Sequence, residues 1–296
     1  MTIATTVDDI LTGLRDGARP IAGGTDLVVS SRQGKNELPE HLIAIDRVDE
    51  LARIDVGGDV TRIGSGVTHS TLMTDPTVVD SFTAIADAAA LVGSPATRNV
   101  GTIGGNVMNG SPAMDTGAPL IVLGAQAELR TTEAVRLVDL DTLWVGPGRT
   151  SAADDELCTA LVVPNQPEMS GSAYVRLEYR RAMEIAIVGA AAAVTLDGDT
   201  IGSVRVALTA VAPTIISVNG LDHLAGMTAD EATLAHVAEA ASEQATPISD
   251  LRASGRYRRT MIGVMARRAV EAAARRASGE VIAVPVNRAL GVGAQS

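Results

Sequence analysis

Two glycine pairs are the residues of this sequence whose type and spacing could do chemistry. The first lies in "PIAGGTDLVV", from Pro20 to Val29, and the second in "RNVGTIGGNVMNGSPAMD", from Arg98 to Asp115. Consecutive glycines can take positive φ without a Cβ penalty, so that successive backbone N–H groups turn toward one point. Such a nest binds an anion, and a helix that begins just after the turn adds the positive end of its dipole. Two nests could therefore hold the two phosphates of one pyrophosphate.

Neither glycine pair identifies a ligand by itself, because Gly-Gly turns often only reverse the chain. Neither is the G-x-G-x-x-G fingerprint of a dinucleotide-binding βαβ unit. The single lysine, Lys35, lies in "SSRQGKNEL" without a P-loop around it, which argues against a P-loop hydrolase and against a Schiff-base enzyme. The four histidines are isolated from one another and show no metal-ligand spacing. We expect His69, in "GVTHSTL", to be a capping or packing residue.

Composition limits both the core and the partners of the protein. A chain of 296 residues can hold two or three domains, and with 2% aromatic residues its core must be built from Ala, Val, Leu and Ile. The net charge of −11 argues against a nucleic-acid binder. The single cysteine, Cys158, cannot form an internal disulfide or ligate an iron–sulfur cluster, and we expect it to be buried in a strand.

The first residues show no basic stretch followed by an apolar one, as a secretory leader would, and no apolar run is long enough for a membrane span. The longest such tract, "IAIVGAAAAVTL", is predicted to be a buried strand or helix of the core. We therefore expect no membrane span, and the single cysteine fits a reducing, cytoplasmic setting.

The hydrophobic pattern predicts the elements that position the two turns. "TTVDDILTGLRDGARP" is typical of an amphipathic helix closed by Gly17, and "DLVVSSRQG" of a short helix with Thr25 or Asp26 as its N-cap. Strands are predicted in "HLIAIDRV" and in a hairpin that turns at residues 57–59. "TLMTDPTVVDSFTAIADAAALVG" is mostly helical and broken at Asp75-Pro76, and "VGPGRTSAADDEL" is typical of a surface loop. After "NQPEMSGS" we predict a three-stranded antiparallel sheet and two helices.

Taken together with "SPAMD", the two glycine stretches resemble the FAD-binding medium subunits of molybdenum hydroxylases, the family of xanthine dehydrogenase and carbon monoxide dehydrogenase. The resemblance continues in order through "LIAIDRVDELARI", "RIGSGVTHSTL", "YRRAMEIAIV", "VRVALTAVAPTII" and "DLRASGRYRRTMIGVMARRA", and it covers residues 18–277. Several segments in a fixed order are far more specific than either glycine turn alone.

The resemblance implies an α+β fold. A two-part FAD-binding domain of the vanillyl-alcohol oxidase and p-cresol methylhydroxylase type is followed by a C-terminal α/β domain, with the three-stranded antiparallel sheet and helices. The expected divisions are FAD-binding subdomains at residues 1–57 and 58–165, a C-terminal flavoprotein domain at 172–278, and an irregular tail at 279–296.

The resemblance also implies a set of FAD contacts, and no catalytic acid or base and no metal ligand in this chain. The implied contacts are Ala22, Gly23, Gly24, Thr25, Asp26, Gly101, Thr102, Ile103, Gly104, Gly105, Asn106, Asp115, Arg176, Glu184 and Ile185. The expected donors to the pyrophosphate are the backbone N–H groups of Gly23, Gly24, Thr25, Gly104 and Gly105, with side-chain help from Thr25, Thr102 and Asn106. A carboxylate beside a diphosphate repels it, so Asp26 is expected to bind backbone N–H groups and hold the loop.

Three of these positions leave alternatives open. Asp115 would accept a hydrogen bond from the ribose or adenine side of FAD, or it would cap the helix that begins in "TGAPLIVLG". Arg176, where family members often carry Lys, would place a cation near the flavin or form a surface salt bridge. Glu184 stands where an Asp is frequent, and Ile185 beside it would cover the isoalloxazine, so the residue nearest flavin N5 is not assigned.

For function, the resemblance implies one subunit of a heterotrimer that assembles as a dimer of heterotrimers. A large subunit would hold the molybdenum cofactor and a small one two [2Fe–2S] clusters, while this chain would pass electrons from the clusters through FAD to an external acceptor. The alternatives are a flavin-free assembly or regulatory module of the same fold and a stand-alone FAD oxidoreductase. Carbon monoxide, a purine, an N-heteroaromatic and a nicotine-like compound all fit as the substrate of the complex.

The arginines of the last predicted helix also leave two roles open. They would form a solvated helix face or an ion-paired interface with a partner subunit. These residues are Arg256, Arg258, Arg259, Arg267, Arg268, Arg275 and Arg276.

Overall fold

The N-terminal residues form a small parallel sheet. The computed structural model describes residues 1–34 and 37–292, so that Lys35 lies outside the described residues. The strands are β1 (Thr2–Ile3), β2 (Arg19–Ile21) and β3 (Leu42–Ala44), in the order β1–β3–β2. The helix α1 (Val7–Arg15) connects β1 to β2, and α2 (Thr25–Arg32) connects β2 to β3. As predicted, α1 buries its apolar face, and Gly17 follows it at φ +82°.

A five-stranded antiparallel sheet follows. Its strands are β4 (Ile54–Val56), β5 (Val60–Gly64), β6 (Gln126–Arg130), β7 (Val135–Asp139) and, after a two-stranded ribbon of β8 (Trp144–Gly146) and β9 (Arg149–Thr150), β10 (Leu157–Pro164). They are ordered β4–β5–β10–β6–β7. The predicted hairpin at residues 57–59 is confirmed. The predicted plain loop "VGPGRTSAADDEL" instead contains the ribbon, which turns at Gly148 with φ +68°.

Short helices fill the interval between β5 and β8. They are α3 (His69–Leu72), α4 (Pro76–Ser81), α5 (Thr83–Leu91), α6 (Pro95–Val100), α7 (Ile103–Asn109), α8 (Gly117–Val122) and α9 (Leu140–Leu143). Four of them begin at side-chain N-caps, namely Thr68, Asp75, Ser94 and Thr102. A cap of this kind satisfies one of the helix's free N–H groups and fixes where the helix starts. The predicted break at Asp75-Pro76 is confirmed.

The C-terminal part has the predicted three antiparallel strands with one short addition. The strands are β11 (Ser170–Leu177), β12 (Val188–Asp197), β13 (Thr200–Thr209) and the two-residue β14 (Ile216–Ser217), in that order across the sheet. The two predicted helices are α10 (Glu231–Gln244) and α11 (Gly255–Ala277). The tail, predicted to be irregular, contains a further short helix, α12 (Val286–Ala289), and residues 293–296 lie outside the described residues.

The C-terminal sheet is buried on both faces. On β12, Ala191 and Ala193 pack into the core around α5 and α8, whereas Ala190 and Ala192 pack into the core around α10 and α11. Side chains alternate across a strand, so a strand covered on both sides has no polar face. This explains why "IAIVGAAAAVTL" is continuously apolar, and it is a strand rather than a helix. The predicted divisions of the chain into domains stay predictions.

Cys158 and two arginines of α11 are removed from solvent or paired with carboxylates. Cys158 is buried in β10, as predicted, and desolvation raises the pKa of its thiol to about 12. Of the arginines in α11, Arg258 is buried and paired with Asp250, and Arg276 is paired with the buried Asp87, so these two are not part of a solvated face. Among the helices of the described residues, none has the length and apolar character that a membrane crossing requires.

Candidate functional site

The two glycine turns lie directly against each other. Gly24, at φ +65°, is the N-cap of α2, and Gly23 precedes it. A Cβ on Gly23 would lie 1.9 Å from the carbonyl oxygen of Val100 and 2.9 Å from the backbone nitrogen of Gly101. No side chain fits at that distance, so glycine is required where the first turn crosses the start of the second. The fold therefore brings the two sequence stretches into one site.

The second turn is anchored on the loop between β5 and α3. Thr102 is the N-cap of α7, and its Oγ1 accepts a hydrogen bond from the N–H of Gly105 at 3.1 Å. The N–H of Gly104 donates to the carbonyl of Ser65 at 2.9 Å, and a Cβ on Gly104 would lie 2.4 Å from that of Ser65. The predicted role of Gly104 and Gly105 as amide donors to a ligand is therefore wrong in this conformation, because both N–H groups are used within the chain.

The first turn carries the amides that are available. Among the described residues, the N–H groups of residues 23–27 donate to no acceptor of the chain, and neither does that of Thr102. The hydroxyl of Thr25 lies between the turns, 3.7 Å from where a Cβ of Gly101 would be. Within the described residues, these are five successive amides without a partner at the start of an eight-residue helix, an arrangement typical of anion-binding sites.

The predicted capping role of Thr25 or Asp26 is wrong. The N-cap of α2 is Gly24, and no side-chain capping hydrogen bond is present. The expectation that Asp26 binds backbone N–H groups is also not met in the described chain, because the loop is shaped by the positive φ of Gly24 instead. The pKa of Asp26 is raised because the carboxyl is partly desolvated.

Three other implied contacts have distinct positions. Asn106 accepts a hydrogen bond from the hydroxyl of Thr116 at its Oδ1, 2.6 Å away, which leaves its amide nitrogen as a donor. Ile103 is fully buried in the core, and its N–H donates to the carbonyl of Val67, so its side chain packs in the core and its contact with FAD stays a prediction. Ala22 is half-buried and packs against the N-terminal core.

Asp115 and Arg176 form a buried ion pair. Asp115 accepts from the Tyr174 hydroxyl and from Nη1 of Arg176, each at 2.8 Å. Arg176 is 0% exposed and also bonds Glu178 through Nε at 2.8 Å. Burial by itself would lower the pKa of Arg176, but the carboxylates of Asp115 and Glu178 raise it above the usual value. Both structural alternatives are wrong: Arg176 is not on the surface, and Thr116 rather than Asp115 is the N-cap of α8.

Sequence reasoning missed Tyr174 and Glu178. They flank Arg176 at two-residue spacing, which places all three side chains on one face of a strand. The sequence did hold a signal for these residues, namely polar side chains at every second position at the end of an apolar strand. The side chains between them, such as Val175, point to the opposite face and pack in the α10–α11 core.

Two family models match this chain, one in each part of the fold. Residues 1–166 match the family model of the FAD binding domain in molybdopterin dehydrogenase. The chain belongs to this family of FAD-binding subunits. Residues 173–273 of this flavoprotein subunit match a second model, the CO dehydrogenase flavoprotein C-terminal domain.

Relatives cover nearly the whole subunit. The carbon monoxide dehydrogenase medium chain of Afipia carboxidovorans is 34% identical over 269 residues, 90% of this chain and 93% of the relative. The xanthine dehydrogenase FAD-binding subunit of Escherichia coli is 31% identical and covers 94% of this chain and 97% of the relative. A solved structure of Cu,Mo-CO dehydrogenase aligns with a TM-score of 0.88 at 32% identity, over 93% of this chain and 97% of that one.

In this flavoprotein subunit, the segment predicted to lie near the isoalloxazine joins β11 to β12. The Glu184 side chain is largely buried and lies 3.4 Å from Nε of Arg180. Met183, at φ +53°, donates its N–H to the carbonyl of Gly93 at 3.0 Å, which ties the segment to the loop before α6. Ile185 is 48% exposed, so its aliphatic side chain is accessible to a flat ligand.

His69 lies against the second glycine turn and contacts it through Gly101. It is buried, its N–H donates to the carbonyl of Gly101, and its Nδ1 has no hydrogen-bond partner among the residues that the structure describes. The packing role predicted for it is confirmed, since Thr68 is the N-cap of α3. Burial, together with the positive charge of Arg98, lowers the pKa of His69 to about 4.

We expect His69 to make the subunit less stable in mild acid. Between pH 6.5 and pH 4 the unfolded chain binds a proton at His69 that the folded chain does not, so the free energy of unfolding falls as the pH falls. From pH 7.5 to pH 5 the wild type should lose about 2 kcal/mol more than His69→Phe, which has no titrating group. Urea unfolding at both pH values measures this, and equal losses in the two proteins would contradict it.

Proposed function

We propose that this subunit binds FAD with its diphosphate across the two glycine turns and serves as the electron exit of a molybdenum hydroxylase complex. The observation that carries the proposal is the contact of Gly23 with residues 100–101, which sets the unpaired amides of residues 23–27 beside the start of α7. Bound FAD supplies the electron-transfer chemistry, and the protein supplies binding and orientation.

The residues fit a diphosphate through backbone donors rather than side-chain cations. The N–H groups of residues 23–27 would bind the phosphate oxygens, with the hydroxyl of Thr25 and the amide nitrogen of Asn106 as further donors. Gly105 is exposed and leaves room over α7 for the ligand. Asp115 keeps lone pairs beyond those used by Tyr174 and Arg176, so it can still accept from a ribose hydroxyl.

At the other end of the ligand, the segment of residues 178–187 would border the isoalloxazine. Ile185 would cover the ring with aliphatic bulk, and Glu184 would lie at its edge, while the buried Arg176 acts through the two carboxylates that it holds. Very few aromatic residues are present in the chain, so aliphatic and backbone atoms must provide most of the contact area.

The proposal on partners is supported by the names of the relatives, which are medium chains or FAD-binding subunits of dehydrogenases. We infer a heterotrimer with a small subunit that carries two [2Fe–2S] clusters and a large subunit that carries the molybdenum cofactor, paired as a dimer of heterotrimers in the cytoplasm. Electrons would enter this subunit from the nearer cluster and leave to an external acceptor. The substrate belongs to the large subunit.

Gly105→Leu is expected to weaken FAD binding without unfolding the subunit. Of the atoms in the described part of the chain, a Cβ at this position would meet only Thr102 Oγ1, at 3.1 Å, so the fold accepts a side chain that then occupies the space of the ligand. We expect the Kd for FAD to rise at least about 100-fold, since displaced contacts of about 3 kcal/mol correspond to that factor. Titration of the FAD-free protein, followed by flavin fluorescence, measures the Kd.

The matched control is Gly58→Leu, in the β4–β5 hairpin, where a Cβ meets no described atom within 4 Å. It should bind FAD as the wild type does. A wild-type protein that is purified colourless and takes up no added FAD would overturn the proposal in favour of a flavin-free module. Turnover of a small donor by the isolated subunit would favour a stand-alone oxidoreductase instead.

A further inference from the structure

The C-terminal segment lies along the β11 edge of the C-terminal sheet. β11 is the first strand of its sheet, so within residues 1–34 and 37–292 no strand lies beside the outer edge of its backbone. After α11 the chain returns to this edge, and α12 places Asn287, 1% exposed, beside Arg176. This segment lies beyond residue 273, where the second family match ends.

Asn287 pairs with the backbone of Arg176 as a strand would. Its Oδ1 accepts from the N–H of Arg176 at 3.0 Å, and its Nδ2 donates to the carbonyl of Arg176 at 2.8 Å. Both backbone groups are buried, and a buried backbone group without a partner destabilises the fold. The Asn287 side chain therefore satisfies both the N–H and the carbonyl group of Arg176.

Asp87 and Arg276 bind further backbone groups along this edge of β11. Asp87 accepts from the N–H of Tyr174 at 3.2 Å and from the N–H of Val286 at 2.8 Å, so it joins β11 to the segment that carries Asn287. Arg276 donates to the carbonyl of Ser172 at 2.7 Å and also binds Asp87. Three polar side chains thus stand in for a missing strand.

The side chains of this edge strand reach across to the FAD-binding part. Tyr174 and Arg176 both bind Asp115, which follows α7 in the chain and precedes α8. The position of Asp115 therefore depends on where β11 lies, and β11 is held at Arg176 by Asn287.

We propose that Asn287 is a positioning residue for flavin binding: through the backbone of Arg176 it holds the guanidinium that orients Asp115. This inference rests on the proposed function. It assigns to the tail a role that goes beyond closing the C-terminal core, because the effect of Asn287 is passed to an element on the other side of the sheet.

The test compares Asn287→Ala with Val286→Ala in the full-length subunit. Val286 is the neighbouring buried residue and packs in the α10–α11 core, so its truncation loosens the same segment without removing a hydrogen bond to Arg176. We expect Asn287→Ala to raise the Kd for FAD by about tenfold or more, the equivalent of one lost buried hydrogen bond, and Val286→Ala to leave it within about threefold.

Hydrogen exchange gives a reading that does not need the cofactor. In Asn287→Ala, amides of residues 110–118 should exchange faster than in wild type, while Val286→Ala accelerates exchange only in the tail. If wild type binds FAD but the two variants show equal Kd values and equal exchange at 110–118, Asn287 is merely structural and the inference fails. If wild type binds no FAD, the proposed function fails. The exchange data alone then decide whether Asn287 positions Asp115.

Discussion

Gly23→Ala should abolish FAD binding and lower the free energy of unfolding by about 3 kcal/mol, the upper part of the usual range for an overpacked site. The new Cβ would lie 1.9 Å from the carbonyl oxygen and 2.4 Å from the carbonyl carbon of Val100. Both are backbone atoms at the end of α6, so no side-chain rotation can relieve the collision. The two turns must separate, and the amides of residues 23–27 then lose their position relative to α7.

Gly58→Ala is the control for this change, because it adds the same methyl group where nothing lies within 4 Å. Urea unfolding should give it a free energy of unfolding within about 0.5 kcal/mol of wild type, as for other surface changes. Flavin fluorescence then reports the Kd of both variants. A Gly23→Ala protein that retains the wild-type Kd would show that the contact between the turns is not needed for the cofactor.

The sequence indicated both turns but not how they meet. Their glycines, the helix after the first turn and the strand before it can all be read from local patterns, and the ordered resemblance supplied the family. The assignment of donors failed because it depends on tertiary contacts: the N–H of Gly104 is used by Ser65, which lies 39 positions away on another loop. Local sequence also favoured Thr25 or Asp26 as the cap, although Gly24 already ends the loop with a positive φ.

The buried charges were beyond sequence reasoning for a different reason. Arginine is almost never fully buried unless it is paired, so a surface position was the natural alternative for Arg176. Its partner Asp115 is 61 residues away in the chain, and only the packing of α8 against the C-terminal sheet brings them together. The same holds for Asn287, whose segment has no hydrophobic period and was predicted to be irregular.

Arg176→Met should be among the most damaging single changes at the site. It removes the cation between two carboxylates that are almost fully buried, those of Asp115 and Glu178. Removing one partner of a buried ion pair typically costs about 3 to 5 kcal/mol, because an uncompensated charge remains. We expect this loss in urea unfolding, together with a large rise in the Kd for FAD. Arg176→Lys keeps the charge but has one ammonium group for two carboxylates, so its loss should be smaller.

The companion variant Asp115→Asn/Arg176→Met/Glu178→Gln separates lost charge balance from lost contacts. With both carboxylates neutral, no buried charge remains unpaired, and the triple variant should be more stable than Arg176→Met alone although it carries more substitutions. Its affinity for FAD should nevertheless stay low, because the Tyr174 hydroxyl alone then orients residue 115. If the triple variant is less stable than the single one, the unpaired carboxylates are not the cause of the stability lost in Arg176→Met. If stability and FAD affinity recover together, the ion pair supports the fold but does not position the site.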